Sequence, residues 1–200
     1  MSVTVDHRPL AAENLGLNTL GQVLAHLQKA NRLVVHVLID GEEPDLDHLP
    51  AVKQSSVSGH TVFIETADPR QMAIEVLDEV EAALDEADRL KTEAADLLQR
   101  NQNAPAMEKL AGCFTTWQHA QESVLKTAQL LRIDLALIRT AGGSMQELFE
   151  EFSRQLKQIR MSLESRDFVT LSDLLLYETT ETSTQWRSAI IAMKTTIQPK

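Results

Sequence analysis

The sequence predicts an α+β protein that is predominantly α: a small N-terminal β-α-β-β module over residues 1–67, then an elongated antiparallel bundle of three or four helices over residues 68–200. Three observations carry this expectation. Short β-branched runs separated by turn residues precede Asp68-Pro69, apolar residues recur every three or four positions beyond it, and the helix starts carry caps.

Within the module, residues 2–8 alternate through Val3 and Val5 and are assigned to a strand. Leu20, Val23, Leu24 and Leu27 stand at i, i+3, i+4 and i+7, which gathers them on one face of a helix capped by Asn18 or Thr19 and ending near Asn31. The run LVVHVLID, residues 33–40, is short, β-branched and closed by Asp40-Gly41, so a largely buried strand and a turn are expected. HTVFIET, residues 60–66, gives the next strand. The proline- and acid-rich stretch between them predicts a loop with at most one helical turn around residues 46–49, and a further short strand fits near residues 10–15. One helix across a small mixed sheet would bury these faces, an element order that is β-grasp-like or split α+β.

Asp68, Pro69 and Gln71 supply an N-cap, a first-turn proline and an N3 amide, so a long helix starts there. Its seam is Ala73, Leu77, Val80, Leu84, Ala87, Lys91, Ala94 and Leu98, and Val76, Ala83, Leu90 and Leu97 widen it. A stripe this wide faces more than one neighbouring helix. The second helix shows Met107, Leu110, Phe114, Trp117, Gln121, Val124, Ala128, Leu131, Leu135 and Ile138. Taken over residues 104–140 it would span about 50 Å, with Gly142-Gly143 as its stop. Ser144 and Glu147 form the S-x-x-E capping box of a third helix carrying Met145, Phe149, Phe152, Leu156, Ile159 and Leu163. Asp167 recaps a continuation through Leu171, Leu174 and Leu175. The threonine-rich segment at residues 178–185 is expected to fray, kink or split this last helix before Trp186, Ile190, Met193 and Ile197 resume the pattern.

Nineteen Lys+Arg against 29 Asp+Glu leave a net charge of -10, which argues against general affinity for nucleic acid or anionic lipid, since both need a concentrated basic surface. With 43% hydrophobic residues the chain has ample material for a core. A single cysteine, Cys113, excludes an internal disulfide framework and fits a reducing compartment. No run of about 18 apolar residues occurs. The opening MSVTVDHRPL brings charge early and lacks the apolar core of a secretory signal, so a cytoplasmic protein is expected.

Glu-x-x-His units on long helices, which a di-iron bundle needs, do not occur, and Asp45 to His48 repeats that spacing only inside a proline-bounded loop. An EF-hand fails there because Leu49 and Pro50 replace an oxygen ligand and the required glycine. The zincin, Cys-x-x-Cys, Walker, dinucleotide and Gly-x-Ser-x-Gly signatures are also missing. The sequence therefore predicts no enzyme, no cofactor and no metal. Gly142, Gly143 and Ser144 precede a helix N-terminus that could hold an anion, although a stop-and-cap turn accounts for them more simply. His36 and His60 fall in strands and could meet as a two-ligand site or protonation switch if those strands pair. Cys113 lies beside Phe114 on an apolar helix and reads as a buried small hydrophobe.

Glu75, Asp78, Glu79, Glu81, Asp85, Glu86 and Asp88 follow one another without a Lys or Arg among them. Such a face could steer and dock a basic partner, and it also serves solubility and the helix N-terminus. Trp117 sits on a seam and belongs to the core. Trp186 and Tyr177 follow the break in periodicity and could line a surface groove. Glu75, Asp78, Glu79, Asp85, Glu86, Tyr177 and Trp186 are thus the candidate partner-binding residues.

VLIDGEEP at residues 37–44, and RDFVTLSDLLLYE at residues 166–178 with Trp186 beyond it, resemble stretches of small uncharacterised bacterial proteins, some of them encoded among flagellar components. The resemblance carries no catalytic motif and implies an assembly, adaptor or chaperone role. The functional expectation is a bacterial cytoplasmic interaction protein that binds a protein partner or a second copy through helical apolar faces, with no nucleic acid and no membrane. The competing expectation is a small-molecule or metal-ion binder or enzyme with a site between module and bundle, using His36, His60 or the acids at residues 42–47.

Overall fold

Asp6 and His7 both adopt left-handed backbone, φ 48° and 62°, which turns the N-terminus into a two-residue hairpin. The one strand expected over residues 2–8 is therefore two, β1 (Ser2–Val5) and β2 (Arg8–Leu10), and the latter replaces the strand expected near residues 10–15. Helix α1 (Leu20–Lys29) starts at Thr19, whose hydroxyl accepts from the Gln22 N–H while the Gln22 side chain accepts from the Thr19 N–H. Strands β3 (Leu33–Ile39) and β4 (Thr61–Ala67) complete a mixed sheet of order β2-β1-β4-β3, with β1 parallel and β3 antiparallel to β4.

Strand β3 is half-buried rather than largely buried. The register shifts between Val34 and His36, and Val35, at that irregularity, is 48% exposed. The stretch between β3 and β4 holds more helix than expected: a 3₁₀ turn at Leu46–His48 runs into α2 (Leu49–Gln54). Pro50 permits this because a proline in the first turn of a helix removes no intrahelical hydrogen bond. Gly21 lets the two helices approach, since a Cβ there would stand 2.8 Å from the Lys53 carbonyl oxygen. Val3, Leu20, Val23, Leu27, Val62 and Ile64 are buried together between helix and sheet. Asp6 ties the hairpin to the end of β4: Thr66 donates to it through its N–H and its hydroxyl, both at 2.7 Å, and Arg32 adds a bond at 3.0 Å.

The computed structural model describes residues 2–140 and 142–198, with every side chain but that of Leu46. The chain divides into two compact units, Met1–Met72 and Ala73–Lys200, and the division falls in the first turn of α3 (Pro69–Gln99). Asp68 caps α3, accepting from the N–H groups of Arg70 at 2.8 Å and Gln71 at 3.3 Å. All eight seam positions from Ala73 to Leu98 are buried, Lys91 included.

Helix α4 (Asn103–Leu131) ends well short of the glycines expected to stop it. Arg132 turns left-handed at φ 54°, the Ile133 N–H reaches back to the Ala128 carbonyl, and Asp134 then accepts from the Ala136 N–H to start a turn. Leu135 and Ile138 consequently lie beyond the helix. The two-residue strands β5 (Arg139–Thr140) and β6 (Gly143–Ser144) pair antiparallel and lead into α5 (Met145–Ser165), which opens on the expected Ser144–Glu147 capping box.

After Arg166, left-handed at φ 57°, Asp167 caps α6 (Phe168–Asp173). The threonine-rich segment neither frays nor splits the chain. A π turn, Leu174–Glu178, joins α6 to α7 (Thr179–Ile197) in unbroken helical backbone. Threonine hydroxyls add bonds to its carbonyls: Thr179 Oγ1 donates to the Leu175 carbonyl and Thr180 Oγ1 to that of Leu176, each at 2.8 Å.

Two apolar clusters fill the second unit. Ala73 to Ala87 of α3 share one with Cys113 to Ala128 of α4, while Ala94 to Leu98 share the other with Ala106 and Leu110, so the two helices pass each other in opposite directions. The second unit is predominantly helical and the first carries the four-stranded sheet, an α+β composition.

Candidate functional site

A polar layer separates the two apolar clusters. On α3 it is Lys91, between Ala87 and Ala94; on α5 it is Gln155, between Phe152 and Ile159; on the last helix it is Thr179, Thr182 and Ser183, between Leu175 and Trp186. Asp88 is its hub. Its carboxylate accepts from Lys91 Nζ at 2.8 Å, Ser183 Oγ at 2.8 Å and Arg187 Nη2 at 2.6 Å. Burial alone would raise the Asp88 pKa, but the combined donors hold it below its ordinary value. Thr180 Oγ1 accepts a second bond from Lys91 at 3.1 Å.

Gln155 is 3% exposed. Its Nε2 donates its two hydrogens to Thr182 Oγ1 at 2.7 Å and Glu151 Oε1 at 3.0 Å, with the Glu178 carbonyl a further acceptor at 3.4 Å. Two of those partners can only accept, which fixes which end of the amide is nitrogen. Its Oε1 is left buried without a donor, as is the donor Trp186 Nε1 without an acceptor. Leaving such a group unpaired costs about 1–3 kcal/mol. Gln155 lines a cleft of about 610 Å³ between α5 and the π turn with the start of α7, and the carboxylates of Glu147, Glu151, Glu178 and Glu181 line it too, with Arg154 as the one cation of the lining among the described residues.

The candidate residues fall into different settings. Asp78 and Asp85 are exposed on α3 and each already meets a cation: Lys194 Nζ sits 2.6 Å from Asp78 and from Glu81, and Arg187 Nη2 sits 2.8 Å from Asp85. Cations of α7 one and three turns past Ser183 thus pair with part of the acidic face. Glu86 is held by Arg89 of its own helix. Glu75 and Glu79 are exposed on α3. Trp186 is not in a surface groove. It is fully buried, with Trp117, Phe149 and Phe152 in edge-on or tilted contact around it, because α7 continues in phase through the π turn. Tyr177 is 71% exposed.

His36 and His60 engage different carboxylates. His36 Nε2 lies 3.0 Å from Glu43 Oε1, and His60 Nδ1 lies 2.6 Å from Asp40 Oδ2, a contact that lowers the Asp40 pKa. His36 pairs across the sheet with Glu65, five residues along from His60, so about 16 Å of strand lies between the two positions. Asp45 and His48 bond to each other at 2.8 Å. Among the described residues no group of three or more His, Cys, Asp or Glu is placed to hold a metal ion. The Gly143-Ser144 turn is occupied by its own cap, since Glu147 Oε2 accepts from the Ser144 N–H at 2.6 Å. Cys113 is buried, which pushes its pKa up to about 11. Among the described residues no helix is long and apolar enough to cross a membrane.

A family model described as a domain of unknown function, DUF8042, matches residues 74–189, more than half of the chain. The chain belongs to the DUF8042 family. No curated protein matches it, and no solved structure does. The DUF8042 span contains Lys91, Asp88, Gln155, the π turn and the acidic cleft, together with the 166–178 stretch that carried the resemblance; residues 37–44 lie outside it. The sequence signal for the layer was present but ambiguous. Lys91 stood in an otherwise apolar seam, and the hydroxyl-rich run that looked like a break supplies the buried hydroxyls.

Proposed function

We propose that this DUF8042 protein is a bacterial cytoplasmic interaction protein, an adaptor or chaperone-like binder rather than an enzyme. Residues 1–67 serve as a β-grasp-like module and residues 68–200 as an antiparallel four-helix bundle. The observation that supports binding is the outer face of the last helix. Val169 and Tyr177 are 75% and 71% exposed, with exposed Asp173 midway between them, so steps of four place all three on one side. A large aromatic and a branched aliphatic side chain at this spacing suit the apolar stripe of an amphipathic partner helix or of a second copy of this chain.

The test places a photo-crosslinking residue at 169 or 177 in the full chain in cells, with exposed position 126 as control, alongside light scattering of the purified protein. A discrete adduct at 169 and 177 that is missing at 126, and that Val169→Asp/Tyr177→Asp abolishes, is the expected result. A monomer with no adduct above the control overturns the proposal.

A further inference from the structure

We propose that the Val169–Tyr177 face takes a basic amphipathic helix of another protein, one Lys or Arg of which enters the cleft beside Val169. The inference rests on the reading of this face as a binding surface and names what covers it. Between the end of α3 and α6 lies a cleft of about 300 Å³ whose walls include Leu98, Phe168, Val169 and Asp173. Among the described residues Asp173 is the only charged group of that lining. Its carboxylate is exposed and caps no N–H of the π turn. It has no hydrogen bond or ion pair among the described residues, although Arg100 and Arg166 stand close to the lining in sequence.

Charge decides between a second copy and a different partner. From Asp167 to Trp186 the chain carries Asp167, Asp173, Glu178 and Glu181, all exposed, and no Lys or Arg. Asp173 lies midway between Val169 and Tyr177. Pairing this helix in register with its own copy, parallel or antiparallel, therefore sets Asp173 against Asp173, and antiparallel pairing centred on Tyr177 sets it against Glu181. Like charges brought together in this way disfavour self-association, whereas a cationic partner turns the same carboxylates into attraction. A lysine or arginine side chain matches the cleft twice over, with its methylene stem on Leu98 and Phe168 and its charge at Asp173. Apolar residues on the same side of that helix then cover Val169 and Tyr177.

Fluorescence anisotropy with the full-length protein at low ionic strength tests this. The probes are two labelled helical peptides that share one leucine stripe, one with lysine and the other with glutamate at every charged position. One-to-one binding of the lysine peptide, roughly tenfold or more tighter than that of the glutamate peptide, is expected. Asp173→Asn and Val169→Ser/Tyr177→Ser, all at exposed positions, should each weaken it by about fivefold or more, while Glu79→Gln on the exposed side of α3 leaves it unchanged. Equal affinity for the two peptides, no binding of the lysine peptide, full affinity in either face variant, or an equal loss in Glu79→Gln overturns the proposal. The cell adducts at 169 and 177 separate its failure from failure of the reading beneath it. An adduct of twice the chain's mass, or an adduct with another protein when the lysine peptide is not preferred, upholds the face and overturns the basic helix; the absence of any adduct overturns both.

Discussion

Replacing Asp88 with alanine removes one carboxylate and strands three donors. Arg187 keeps Asp85, and its loss is small because that pair reaches solvent. Ser183, fully buried, loses its acceptor on Asp88, and Lys91, whose side chain is 5% exposed, keeps only the Thr180 hydroxyl. Breaking a buried pair by deleting one partner costs about 3–5 kcal/mol, so about 4 kcal/mol is expected for Asp88→Ala. At about 2–4 °C per kcal/mol in a chain of this size, the melting point should fall by roughly 8–16 °C. Trp117 and Trp186 are the only tryptophans and both lie in the second unit, so urea unfolding followed by tryptophan fluorescence reports that unit alone. Adding Lys91→Met should restore part of the loss, because no buried charge then lacks a partner. A loss below about 1 kcal/mol would refute the reasoning, since that is the cost of an exposed pair.

Arg132→Gly and Arg166→Gly relieve left-handed backbone and should each stabilise the second unit by about 0.5–1 kcal/mol, after the extra chain entropy of glycine is subtracted, read from the same urea midpoints. The Asp6 pKa is lowered, first by the Thr66 hydroxyl and then by its N–H, with Arg32 adding to the effect. That stabilisation is complete above the ordinary aspartate range and fades as pH falls through the lowered folded value. Hydrogen exchange at the Thr66 amide should therefore quicken below about pH 4 in the wild type, and Asp6→Asn should flatten this dependence. The Cys113 thiol should resist a disulfide reagent at pH 8 in the folded protein and react at once in urea; fast labelling of the native state would contradict its burial.

The parts of the fold visible in sequence were those with local chemical signatures. Thr19, Asp68, Ser144 and Asp167 announced four helix starts through side chains that can reach their own N–H groups. The end of α4 was invisible because Arg132, not glycine, takes the left-handed position, while the apolar rhythm ran on through Leu135 and Ile138. Pro50 and the acids around it disguised α2 as loop. The acidic run was legible as charge, but its partners Arg187 and Lys194 lie a hundred residues away, and no local rule pairs them. Trp186 was misplaced for the same reason as the threonines: low apolar content suggested a break, whereas the buried hydroxyls of Thr182 and Ser183 find partners on neighbouring helices, Gln155 of α5 and Asp88 of α3.

The π turn has a consequence for how the chain tolerates change in length. A five-residue return holds one residue more than an α-helix would, and the buried positions Leu171, Leu175 and Thr179 record it as two successive steps of four. Everything downstream is thereby rotated by about 100° relative to an uninterrupted α-helix. Deleting a single residue anywhere in Leu174–Glu178 would let regular α-helix replace the π turn and keep the downstream stripe, the indole of Trp186 included, on its buried side, whereas forcing regular α-helix on the full-length segment would swing that indole toward water. Relatives aligned without a gap across this point share the offset; one that lacks the extra residue must carry its apolar stripe one position earlier.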